Sequence, residues 1–275
     1  MSAGALTIAL VQADTVWHDA QANRNHCERL LRAAPRFGEP SAAADLIVLP
    51  ETFTTGFSNE ALATAETMDG ATVAWLRAQA RSLGAAITGS VQIREGAEVF
   101  NRLLWAMPDG TVHHYDKRHL FRMAGEHERY SAGRDPIFVD LKGWRICPLV
   151  CYDLRFPVYS RNRFDVSRAR DLDYDLLLYV ANWPSARQSA WDTLLRARAI
   201  ENLSYVVGVN RVGIDGNGVH YTGGSVVLDP LGVSVAECGD SVAVVTATLS
   251  LEQLREQRKR FPAYLDADPF ELYPD

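Results

Sequence analysis

Three apolar runs in this chain each stop at a reactive group, and that repeated ending limits what the chain can fold into. "LIVLPE" ends at Glu51, "HHYDK" at Lys117 and "CPLVC" at Cys151. A strand that needed only burial would not finish on a carboxylate, an ammonium or a thiol. Layered α/β folds gather such groups beyond the carboxyl ends of their strands, where loops present side chains to a cleft.

The pattern around these endings supports layers. "LTIALVQA", "ADLIVLPE", "AAITGSVQIRE", "EVFNRLLWAMP", "GTVHHYDK", "WRICPLVC", "YDLLLYVAN", "LSYVVGVNRVG" and "TGGSVVLDP" read as turn-bounded strands, with "EGAE" at 95–98 as a tight turn. "ANRNHCERLLRAA", "ATVAWLRAQARSL" and "SAWDTLLRARAIEN" read as amphipathic helices; Trp191, Leu194, Leu195, Arg198 and Ala199 share one stripe of the last. Hairpin-like pairs and βαβ-like units both occur. A mixed α/β layered fold, with helices covering more than one sheet, follows. No repeat, low-complexity tract or linker divides residues 1–275, so one domain is expected.

Composition excludes some functions. A formal charge of −6 and pI near 5.7 imply no general attraction to nucleic acid or an anionic membrane. The one basic cluster, "SRNRFDVSRAR" at 160–170, is expected to be a solvated helix face. No apolar run approaches the roughly 18 residues of a membrane span, and "MSAGALTIALVQAD" lacks a signal peptide's basic start. Four cysteines do not make a disulfide framework, and a reduced, cytoplasmic protein is expected. On a strand, Cys147 and Cys151 would stand about 13 Å apart, too far to bond.

The three strand-end groups are chemically complementary. A thiolate is a strong nucleophile, but a free thiol is mostly protonated at neutral pH. A buried carboxylate is a candidate acceptor for its proton, and an ammonium stabilises both thiolate and oxyanion. The backbone N–H of Tyr152 is a second oxyanion donor if a tight turn begins there. On residues alone, each group also has an ordinary reading: Cys151 as a small core residue, Glu51 as a turn acceptor, Lys117 as a solvated strand end.

"LIVLPETFTTGF", "YDKRHLF", "LVCYDLRFP" and "LLRARAIEN", in that order, resemble the carbon–nitrogen hydrolase (nitrilase) superfamily across roughly residues 5–235. The resemblance implies a four-layer αββα sandwich, commonly a homodimer, working with no metal or cofactor through a Glu–Lys–Cys triad: Glu51 as base, Lys117 at the oxyanion, Cys151 as nucleophile. It also implies a second glutamate seven residues before a glycine. Glu126 has that spacing to Gly133, with Glu128 as its rival.

"ANWPSARQSAW", "VNRVGIDGNGVHY" and "RFPAYLDADPFEL" are similar to the omega-amidase branch, which hydrolyses short ω-amido dicarboxylates such as 2-oxoglutaramate and 2-oxosuccinamate. Ala190 departs from that branch's usual histidine. A substrate carboxylate needs a cation, and Arg187 is the candidate, with Trp183 and Phe57 as pocket walls. Asp153 and Arg155 are expected to form an ion pair shaping the turn after Cys151, and Pro157 to end it. His113, His114 and His119 lack metal-ligand spacing, and the glycines at 216, 218, 223 and 224 lack a phosphate-loop context. The alternatives are an N-carbamoyl-amine hydrolase or nitrilase with the same triad, or a non-catalytic or redox-sensing protein on the same fold.

Overall fold

The computed structural model describes residues 4–33, 44–165, 167 and 172–272. In chain order its first half runs β1 (Ala5–Gln12), α1 (Ala20–Ala33), β2 (Leu46–Val48), α2 (Ala61–Thr64), α3 (Ala71–Leu83), β3 (Ala86–Glu95), β4 (Glu98–Ala106) and β5 (Val112–Asp116). The second half runs β6 (Val139–Leu141), β7 (Trp144–Val150), β8 (Leu176–Ala181), α4 (Gln188–Asn202) and β9 (Tyr205–Asn210). It continues through β10 (Val212–Ile214), β11 (His220–Thr222), β12 (Val226–Leu228), β13 (Ser234–Glu237), β14 (Ala243–Ser250) and α5 (Leu251–Arg260).

Two six-stranded sheets result, in the orders β14-β1-β2-β3-β4-β5 and β13-β12-β9-β8-β7-β6. Each has parallel pairs at its centre and antiparallel pairs on its flanks. The period of two along β1 explains how they stack. Leu6, Ile8 and Leu10 face one way and pack with Ile146, Leu176 and Leu178 of the second sheet. Ala9 and Val11 face the other way and pack with Cys27 and Leu31 of α1 and Val73 and Leu76 of α3. On the far side of the second sheet, Trp191, Leu195 and Ala199 of α4 complete the core. The order is helices, sheet, sheet, helix: an αββα sandwich.

The predicted strands and helices all appear; most strands are shorter than their runs, α3 spans the expected residues, and α1 and α4 begin two and one residues earlier. The run "LSYVVGVNRVG" divides at Arg211 into β9 and the ribbon strand β10. The basic cluster differs from its expected form. Residues 161–163 are irregular, Phe164 bridges Leu172, and Asn162 is buried, donating to the Tyr174 and Asn202 carbonyls at 2.9 and 3.1 Å. Buried amide bonding therefore replaces the solvated helix here; 166 and 168–170 lie outside the described residues.

Candidate active site

The carboxyl ends of β2 and β7, in the parallel centres of the two sheets, and of the edge strand β5 meet at one cleft. β2 gives way to Glu51, β5 to Lys117 and β7 to Cys151. Glu51 and Lys117 are both buried (1% exposed), and Lys117 Nζ donates to Glu51 Oε1 at 3.0 Å. The same ammonium reaches both oxygens of Glu126, at 3.0 and 2.9 Å. Glu128 is exposed, so the structure brings Glu126 to the site. The loop from Glu126 to Gly133 grips Lys117 at both ends, because Gly133 N–H donates to the Lys117 carbonyl at 3.0 Å. A Cβ on Gly133 would sit 2.0 Å from the Asp116 carbonyl oxygen, so only glycine fits.

Two asparagines that sequence reasoning missed complete this buried network. Asn101 Nδ2, on β4, donates to Glu51 Oε1 at 2.8 Å and to Glu126 Oε1 at 3.3 Å. The Asn182 backbone N–H donates to Glu51 Oε2 at 2.7 Å, and its side chain holds the Glu51 carbonyl and Thr52 Oγ1, both at 2.8 Å. Asn182 ends the run "LLLYVAN" just as Glu51 ends "LIVLPE", and that parallel was the available signal.

Cys151 opens a 3₁₀ turn, Cys151–Arg155, and has φ +44°, a left-handed conformation rare outside glycine. The sharp elbow lifts it out of β7 into the cleft. Burial and then the negative charge of Glu51 push its pKa well above the ordinary thiol value, while Lys117 acts in the opposite direction. Burial opposes the charge on Lys117, but Glu126 and Glu51 outweigh it and hold that pKa well above the usual lysine range. Glu126 is raised, first by burial, with Lys117 pulling back. The resting arrangement is therefore a neutral thiol beside a firmly charged ammonium. Cys147, four residues earlier, stays in the core, where burial raises its pKa.

A cavity of about 470 Å³ opens over these groups, and Phe57, Tyr152, Trp183 and Arg187 all line it. Phe57 lies with its ring centroid 5.5 Å from Lys117 Nζ. Arg187 stands 5.5 Å over the Phe121 ring and donates from Nη2 to Met123 Sδ at 3.0 Å. The expected ion pair between Asp153 and Arg155 does not form. Asp153 turns inward to Tyr115 and His119. The Arg155 guanidinium instead lies over the Trp183 ring, 5.0 Å from its centroid, and lines the cavity. The 3₁₀ turn sends these two side chains in opposite directions. His113 and His114 are exposed on β5 and do not line this cleft. Within the glycine-rich stretch Gly216 serves close packing: a Cβ there would meet the Trp17 indole at 2.5 Å, and Trp17 is another cavity wall.

The arrangement suits acyl transfer: a thiol, a carboxylate within its influence, and a fixed ammonium, all at the floor of one cavity. The carbon–nitrogen hydrolase family model matches residues 7–259. The chain is 50% identical over 269 residues to the omega-amidase YafV of Escherichia coli, covering 98% of this chain and 99% of that protein. It is 32% identical to the 2-oxoglutaramate amidase of Bacillus subtilis, covering 94% and 96%.

Among solved structures, XC1258 from Xanthomonas campestris, a CN-hydrolase superfamily protein with an arsenic adduct in its active site, matches with a TM-score of 0.93 and 60% identity. That match covers 98% of this chain and 99% of that one. An amidase from Nesterenkonia, with acrylamide added at its active-site cysteine, matches with a TM-score of 0.76 and 26% identity, covering 94% and 99%. The chain belongs to the carbon–nitrogen hydrolase family. Within it, the chain is an amidase of the omega-amidase-like branch, acting on carbon–nitrogen bonds other than peptide bonds.

Proposed function

We propose that this chain is a thiol amidohydrolase that removes ammonia from the terminal amide of short ω-amido dicarboxylates such as 2-oxoglutaramate or 2-oxosuccinamate. The observation that carries the reading is Lys117 Nζ held between the buried carboxylates of Glu51 and Glu126, below a cavity lined by Cys151 and two guanidiniums. We read residues 1–275 as one hydrolase domain of a cytoplasmic protein, with the family resemblance supporting a homodimer.

Because its thiol is held protonated, Cys151 gives up its proton to Glu51 as the sulfur–carbon bond forms. The carbonyl electron pair moves to oxygen, where the Lys117 ammonium and the Tyr152 backbone N–H receive it. Collapse of this intermediate breaks the carbon–nitrogen bond, and Glu51 returns the proton so that ammonia leaves. Water then gives a proton to Glu51 and attacks the thioester; collapse restores the thiol and frees the carboxylic acid. Lys117, with its raised pKa, acts as a donor and charge, and Glu126 orients it.

The substrate's own carboxylate needs a cation. Arg155 and Arg187 both line the cavity, and neither is ion-paired among the described residues. Arg155, held over the Trp183 ring, presents a guanidinium fork to the cavity, with Arg187 as the second contact. The test is ammonia release from a panel of ω-amides, N-carbamoyl compounds and nitriles. Preference for the carboxylate-bearing amides is expected, and preference for a nitrile or N-carbamoyl compound would overturn the substrate assignment. Cys151→Ala that still releases ammonia would overturn the mechanism.

A further inference from the structure

We infer that Asp153 is a positioning residue that fixes the nucleophile turn against the lysine-bearing strand exit. The inference rests on the roles proposed above for Cys151 and Lys117. Asp153 is fully buried, and no lysine or arginine pairs with it among the described residues. Its carboxylate accepts four hydrogen bonds instead. Tyr115 Oη donates to Oδ2 at 2.8 Å, and the Val150 N–H to the same oxygen at 3.0 Å. The His119 N–H and Nδ1 reach Oδ1 at 3.0 and 2.8 Å.

These donors come from two places only. Val150 immediately precedes Cys151, so its bond closes the elbow that holds Cys151 at φ +44°. A conformation of that kind persists only where the surroundings over-determine it. Tyr115 and His119 flank Lys117 on either side by two residues. Tyr115 Oη also accepts the Arg118 N–H at 3.1 Å, and the His119 ring stacks on Phe156 at 3.7 Å, just past the turn. One carboxylate thus joins the segment carrying the oxyanion cation to the segment carrying the nucleophile. Among the described residues no hydrogen bond runs from Glu51, Lys117 or Glu126 to the Cys151 backbone, so the Asp153 carboxylate is a direct tie between the nucleophile turn and the lysine segment, and it helps set the distance between thiol and ammonium.

Asparagine at 153 would turn an amide N–H₂ toward N–H or O–H donors, because each carboxylate oxygen already accepts two. The turn would then relax. The experiment compares Asp153→Asn and Tyr115→Phe with the wild type in the full chain. Two quantities are read per folded molecule: kcat and KM on the best ω-amide, and the rate of Cys151 alkylation by chloroacetamide, followed by mass. Asp153→Asn should lower kcat about 100-fold with KM changed less than about threefold, the cost of misplacing a reacting atom rather than of lost binding. Tyr115→Phe should lower it about 10-fold, and the double variant should be no worse than Asp153→Asn alone.

Alkylation should slow in the same order. Wild-type kcat and alkylation in folded Asp153→Asn would overturn the inference. If that variant does not fold, unchanged kcat in Tyr115→Phe overturns it. If the wild type cleaves no ω-amide, the substrate assignment fails, and alkylation alone still decides the role of Asp153.

Discussion

Lys117 Nζ lies 3.0 and 2.9 Å from the two oxygens of Glu126, and the same ammonium touches Glu51 at 3.0 Å. One cation is therefore shared by two buried carboxylates. Lys117→Met should destabilise the fold by about 3–5 kcal/mol, because both acids are left unpaired in the interior. It should also lower activity by about 10²- to 10³-fold, the cost of an oxyanion donor. Denaturant unfolding and ammonia release check the two parts separately.

Glu126→Gln keeps the shape and one acceptor oxygen but removes a charge. Lys117 then leans toward Glu51 and away from the developing oxyanion. A drop in kcat of about 10- to 100-fold, with KM little changed, is expected in steady-state assays. Glu128→Gln should behave as the wild type, since Glu128 is exposed.

Arg155→Ala should raise KM for 2-oxoglutaramate by about 10- to 100-fold, the worth of a charge-assisted hydrogen-bonded pair. Arg187→Ala should have a smaller effect in the same direction. A neutral amide of equal length should show no such change, and comparing KM for the charged and neutral substrates reads the difference directly.

The raised Cys151 pKa has a visible consequence. Its thiolate fraction at neutral pH lies below that of a free cysteine, so its alkylation rate should climb steadily from pH 7 past pH 9. A plateau below pH 7 would instead mean a preformed thiolate. Rates taken by mass at each pH distinguish the two.

Cys27 bears on stability. Burial pushes its pKa from 9.0 up to about 12. Between those values the unfolded thiol ionises while the folded one keeps its proton, so the unfolded state binds fewer protons and stability falls as pH rises. The slope from this group is about 1.4 kcal/mol per pH unit across that window and zero below it. Urea midpoints measured from pH 8 to 11 should decline less steeply in Cys27→Ala than in the wild type.

Much of the fold was legible because apolar periodicity is local. The helix α3 fell on the expected residues, Ala71–Leu83, and the turn at 95–98 closed as read. β14 and α5 went unread for physical reasons. β14 pairs with β1 at a sheet edge, so its Val and Thr residues are only half-buried and show little alternation. α5 buries just Leu251 and Leu254. The site was legible in its reactive members, since Glu51, Lys117 and Cys151 end apolar runs. Asn101 was not, because a polar residue inside "VFNRLLW" looks the same whether it faces solvent or a buried carboxylate.

The sequence by itself determined the layers and the chemistry: alternating apolar runs fix which faces are buried, and residue type fixes what can donate, accept or attack. Only the tertiary structure decided which partners meet. Asp153 and Arg155 are two residues apart and of opposite charge, yet the turn sends one inward to Tyr115 and His119 and the other out onto Trp183. Hydrogen bonds among residues 38 and 34 positions apart overrode a local attraction, because a buried carboxylate needs several donors and one flexible arginine beside water supplies little.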